Sequence, residues 1–221
     1  MTNFQFQMSK QNEELIKIQR ILKDFINHLQ TFYKDLGVFD SIENKKTVAR
    51  EICNRFFSNL ICLENHLHLK DSLSSALIQR YNHELSLDFY YLLDEKDTED
   101  KLNKFFNYNY SSKNREWSIL KNDNKRDFVP PWVADKEALV KLYKTLSRMA
   151  HPNILSIQLN RKGDEFEYRI IQGAITLCIL DISSCLNHKP FRDLFPNIEW
   201  GKIFEINNSF QLTITEILTK N

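Results

Sequence analysis

The residues best suited to chemistry lie in Tyr143-Lys-Thr-Leu-Ser147-Arg148-Met-Ala-His151-Pro152-Asn153. On a helix, His151 comes one turn after Ser147 and shares a sector with Arg148. The proline disfavours helical geometry at His151, so the imidazole should sit at the last turn. An imidazole titrates close to neutrality and can accept or donate a proton. A guanidinium stays charged at every physiological pH. Such a pair is enough to cleave RNA without a metal: the imidazole takes the 2′-hydroxyl proton, and the guanidinium stabilises charge growing on the phosphate. Ser147 would orient the imidazole or bind phosphate. The same residues also suit a plain helix end, where His and Arg donate to the last carbonyls and interact favourably with the dipole. A Ser-His-Asp hydrolase fits poorly, because Ser147 is not on a glycine-flanked turn.

A second constellation is Arg80, Glu84 and Asp88, spaced four apart on one helix face. It reads either as a salt bridge that fixes helix register or as a face opposed to the His151 end. In the second case Glu84 orients the imidazole or Arg148, and Arg80 adds a phosphate-binding cation. A third is the segment 107–134, where Tyr108, Tyr110, Trp117, Phe128 and Trp132 alternate with basic residues. Aromatic rings stack on bases while cations pair with phosphates. Lys113, Arg115, Trp117, Lys125 and Arg126 are therefore candidate RNA contacts. The competing reading is an ordered loop whose rings pack on the protein and whose charges face water, since Glu116, Asp123 and Asp127 dilute the positive charge. The lone His66-Leu-His68 pair is too little for a metal site, and neither metal nor cofactor is expected.

These groups must be positioned by helices. The chain has 221 residues with only four glycines and five prolines, too few turn formers for a sheet-rich fold. Neither a Walker-type phosphate loop nor a GxGxxG turn is present. A net charge of +1 argues against bulk nucleic-acid or membrane binding through a global field. Residues 1–9 read as frayed. Residues 10–36 form a long amphipathic helix, with Leu15, Ile18, Leu22, Phe25, Leu29, Phe32 and Leu36 at alternating three- and four-residue spacing. That stripe suits a bundle helix and also a seam with a second subunit. Gly37 stops it. Asp40-Ser-Ile-Glu43 has the form of a capping box for a helix running to about His66, with Ile52, Phe56, Leu60 and Leu63 inside.

A third helix runs from Asp71 or Ser72 to Leu93, where Leu77, Tyr81, Leu85 and Leu92 supply apolar contacts. A short helix is expected through Phe105 and Phe106, and another from Asp135 to His151. Ile154–Leu159 and Glu165–Ile170 have the look of a small hairpin. The apolar stretch of about 167–187 carries Gln172 and Asp181, which suits a central bundle helix better than a bilayer span. Residues 187–200 read as irregular and 203–219 as a last helix. The sum is an all-α protein: one domain over 1–221, a bundle of about six main helices. The sixteen Phe, eight Tyr and three Trp point to an aromatic-rich core. The N-terminus lacks the basic start and apolar run of a signal peptide, so a cytoplasmic protein with reduced thiols is expected, its four cysteines serving as small hydrophobes.

The phrase Tyr143-x-x-Leu146-Ser147-x-x-x-His151-Pro152, with the upstream Arg80-x-x-x-Glu84-x-x-x-Asp88 helix running to Tyr91-Leu92, is similar to the signature of a bacterial helical family that resembles HEPN domains. The likeness spans about residues 45–190. It implies a HEPN-like bundle, a homodimer and metal-independent endoribonuclease activity in a toxin or anti-phage setting, with an antitoxin or defence protein as partner. By the same likeness His151 is the base and the nearest Arg its partner. HEPN ribonucleases separate that Arg and His by more than the two residues between Arg148 and His151. The alternative is a non-catalytic helical module that binds a protein or a nucleotide.

Overall fold

Alternating three- and four-residue apolar spacing produces the first helix, α1 (Asn3–Asp35). Residues 3–9, expected to be frayed, are the first turns of that helix. In the computed structural model the described residues are 3–37, 44–69, 71–94, 99–102, 125–130, 137, 140–141, 144 and 164–219. From Ile18 to Leu36 the predicted stripe is buried inside the chain. The helix ends where Gly37 takes φ +77°, the left-handed region that glycine enters without a Cβ penalty. Arg50 Nε donates to the freed carbonyl of Leu36 at 2.7 Å, so the second helix caps the first.

That second helix, α2 (Lys45–His68), starts at Asn44, whose side chain accepts from Thr47 N at 3.0 Å. The cap observed is Asn44; the expected Asp40 box lies outside the described residues. Ile52, Phe56, Leu60 and Leu63 are buried as the spacing predicts. Helix α3 (Ser72–Leu93) is capped by Asp71, which accepts from Ser74 N at 3.0 Å. A 3-10 turn covers Arg126–Phe128. It is followed by α4 (Asp164–Leu186), the short α5 (Lys189–Asp193) and α6 (Trp200–Thr219). Every regular element among the described residues is helical, so the chain is all-α.

Two expectations are corrected. Glu165–Ile170 belongs to α4 and not to a hairpin strand, because the 3.6-residue apolar pattern extends back through it. The stretch 187–200 is not wholly irregular: Lys189–Asp193 form α5, with Pro190 in its first turn, where its missing N–H costs nothing.

Helix α4 is the axis of the fold and packs against α1, α2, α3, α5 and α6. By length and composition its Arg169–Leu186 window could cross a membrane, but 72% of it is buried in the protein. Contacts such as Lys23 with Glu64, and Lys45 with the Leu93 carbonyl, show that α1, α2 and α3 alternate in direction. Helices α3 and α4 run parallel, since Asn82 meets Cys178 and Tyr90 meets His188. The aromatic core is most concentrated at Phe191, fully buried among the rings of Phe32, Phe89, Phe195 and Trp200. Burying each such side chain stabilises the fold by roughly 1.5–3 kcal/mol.

Candidate functional site

Helix α3 presents its charged triad on one half-buried face. Arg80 Nε donates to Glu84 Oε1 at 3.1 Å, with the two side chains 23% and 31% exposed. One turn further on, Asp88 accepts from Lys125 Nζ. Lys125 is a buried residue at the end of the aromatic-basic segment, so this contact ties that segment to the Arg80–Glu84 face. Arg126 is buried next to it in sequence. Two of the expected RNA contacts are thus inside the described bundle and not on its surface. Lys113, Arg115 and Trp117 lie outside the described residues, as do Ser147, Arg148 and His151. The predicted helix before His151 is represented by Glu137, Val140, Lys141 and Lys144, all helical, with Lys141 Nζ 3.2 Å from Glu137 Oε1.

The C-terminal end of α3 gathers more cations. Lys45 Nζ donates to the carbonyls of Leu93 and Asp94 at 3.5 and 3.3 Å. Lys101 pairs with Asp94 at 3.3 Å and lies 4.7 Å from the ring centroids of both Tyr91 and Phe128. Positive charge is favoured there by the unsatisfied carbonyls of the helix end and by the ring faces. Lysines distant in sequence therefore converge on one helix terminus. Asp88 and Asp94 largely compensate them.

The inward side of α3 was not anticipated. Leu77 and Tyr81, expected to supply apolar contacts, are 43% and 41% exposed, while Leu85 and Leu92 are buried as expected. The buried side instead carries Gln79, Asn82, His83, Ser86 and Tyr90. Asn82 accepts from Asn59 Nδ2 at 2.7 Å and donates to Cys178 Sγ at 3.0 Å. The Cys178 thiol donates to Gln79 Oε1 at 3.0 Å. His83 Nδ1 lies 3.5 Å from Asp181 Oδ2. The three-and-four spacing of these polar residues was the available signal, but only their partners on α2 and α4 make the polar side the inner one.

This ladder can set the register of α3 against α4, and its chemistry is otherwise quiet. Burial pushes the Cys178 and Cys185 thiols well above their ordinary range, which keeps them protonated and poor nucleophiles. Burial, followed by Cys185 and Asp181, raises the Tyr90 hydroxyl likewise. His83 is 1% exposed and cannot meet a substrate. Of the four cysteines, Cys62 is exposed, unlike the small-hydrophobe role expected for all of them. His66 and His68 take separate partners, Asp71 at 3.4 Å and Gln19 at 3.3 Å. Among the described residues no cluster of three potential metal ligands occurs. No known protein family, curated protein or solved structure matches this chain.

Proposed function

We propose that this chain is a HEPN-like, metal-independent ribonuclease or nucleic-acid-acting effector, working in the cytoplasm as a homodimer in a toxin or anti-phage system. His151 is the general base, oriented by Ser147. Arg148 or Arg80 stabilises the phosphate, and Glu84 holds Arg80 in place. Lys113, Arg115 and Trp117 grip the strand. The observation that carries this reading is the contact between Lys125 and Asp88, one turn from the Arg80–Glu84 pair. It brings the end of the aromatic-basic segment to the α3 face that already holds an oriented guanidinium. The test is cleavage of varied RNAs by the purified protein, with and without a candidate antitoxin or sensor, alongside His151→Ala and a measurement of expression toxicity. Intact RNA under all these conditions overturns the activity. Full cleavage by His151→Ala overturns the mechanism.

A second reading is favoured by one observation: Arg80 and Asp88 each have an oppositely charged partner within the chain. On this reading the protein is a non-catalytic module for a protein partner or a nucleotide, and the α3 face only holds helices together. Thermal melts then separate the two, because Glu84→Ala and His151→Ala would lose stability without any selective loss of activity.

A further inference from the structure

A cleft of about 560 Å³ opens between the α4–α5 turn, α5 and α6. His188, Lys189 and Arg192 bring basic nitrogens to it, and Asn187, Asn208 and Gln211 bring amides. Phe204, 43% exposed, forms an aromatic wall. Among the described residues no Asp or Glu lines this cleft. The groove of about 690 Å³ between α1 and α6 has the opposite character, lined by Asp24, Asp35 and Glu199 against a single Lys202. Among the described residues, Lys189 and Arg192 thus line one concavity, and most of the charged groups of the other are acids.

Neither Lys189 nor Arg192 has an ion-pair partner among the described residues. Arg192 Nε is buried and lacks a hydrogen-bond partner. Leaving a charged donor in that state is costly. The local field acts on His188 as well: burial first, and then Arg192, push its imidazole down to about 4, with Asp94 opposing. The ring is held in place edge-on to Tyr90, at 5.0 Å between centroids. The site is thus shaped before any ligand arrives.

We propose that this cleft binds a nucleotide, with Arg192 and Lys189 on the phosphate oxygens and the base against Phe204. Guanidinium and ammonium donors suit a phosphate, and a ring face suits any base. Asn208 adds an amide to the lining, suited to a sugar hydroxyl or a base edge. The same chemistry is offered by a free mononucleotide and by one nucleotide of a single RNA strand. Arg80 and Glu84, the described residues assigned to RNA cleavage, do not line the cleft.

Titration calorimetry of the intact protein with AMP, inorganic phosphate and a short single-stranded RNA tests the site. Arg192→Gln should weaken AMP by about ten-fold or more, the scale of one charge-assisted hydrogen bond. Lys189→Ala, at an exposed position that cannot unfold the bundle, should weaken it by about three-fold or more. Phe204→Ala should weaken AMP by about five-fold or more, the scale of one stacked base, and leave inorganic phosphate unchanged. Tighter binding of the strand than of AMP, with the same losses in the variants, supports the site and identifies the strand as its ligand. Equal binding supports it with the free nucleotide as ligand. Absence of binding at millimolar AMP and RNA overturns the proposal, as does binding indifferent to both Lys189→Ala and Phe204→Ala. RNA cleavage is measured on the same samples, so AMP binding without cleavage, or cleavage without AMP binding, separates failure of the ribonuclease reading from failure here.

Discussion

Asp88→Asn tests how the aromatic-basic segment is fastened to the bundle. Lys125 is a buried ammonium whose side chain is 6% exposed, against 18% for Asp88. Removing one member of a fully buried pair costs about 3–5 kcal/mol, because the remaining charge is stranded away from water. The exposure of Asp88 and the further contacts of Lys125 reduce this to roughly 2–3 kcal/mol. At this chain length that corresponds to a fall of about 5–10 °C in Tm. The neighbouring Arg80–Glu84 pair provides an internal control. It is more exposed and spaced i, i+4, so Glu84→Gln should cost only about 0.3–0.5 kcal/mol. Combining Asp88→Leu with Lys125→Met removes both charges and should return to within about 1 kcal/mol of the parent. Urea unfolding followed by far-UV circular dichroism supplies the double-mutant cycle, with an expected coupling of about 1.5 kcal/mol or more. The reasoning fails if Asp88→Asn costs no more than Glu84→Gln, or if the Asp88 and Lys125 single costs simply add.

Two further outcomes follow from single residues. The folded-state pKa of His188 is depressed from 6.5 to about 4, so on acidification the unfolded chain takes up the proton first. Its contribution to stability is complete above about pH 6.5 and is lost as pH falls towards about 4. The ceiling is about 3 kcal/mol, and roughly 1–2 kcal/mol remains after discounting for partial exposure. Urea midpoints measured from about pH 7 to 5 should fall for the parent and flatten for His188→Asn. Gly37→Ala should destabilise by about 1–2 kcal/mol and lower Tm by roughly 2–8 °C, because φ +77° is strained for a residue with a Cβ. The Cβ itself would meet Arg50 only at an ordinary 3.5 Å, so Gly37→Asn, which tolerates this backbone region, should lose less.

Legibility varied with how local each cause was. The α1 stripe, the Gly37 stop, the inner residues of α2 and the apolar α4 follow from spacing and backbone preference, and all were readable. Helix starts were less so. Asp40-Ser-Ile-Glu43 and Asn44 both offer capping oxygens within a few residues, and it is the entry of α2 against α1, with Arg50 on the Leu36 carbonyl, that goes with Asn44. The triad of Arg80, Glu84 and Asp88 was correctly placed on one face, but the partner of Asp88 was not legible. Lys125 is 37 residues away, and nothing local marks it among the basic residues of its segment.

By sequence alone the chain is determined to be a helical protein, through the scarcity of glycine and proline and through apolar spacing that only helices can bury. Which side of α3 faces inward, which lysines are buried, and which described residues meet at the cleft were decided by tertiary structure. The physical reason is that a polar group becomes acceptable inside only when a partner from another helix satisfies it. Asn59 and Cys178 do so for Asn82, while Leu77 and Tyr81 are turned outward. The cleft at His188, Lys189 and Arg192 likewise exists only because α6 brings Phe204 and Asn208 alongside α5.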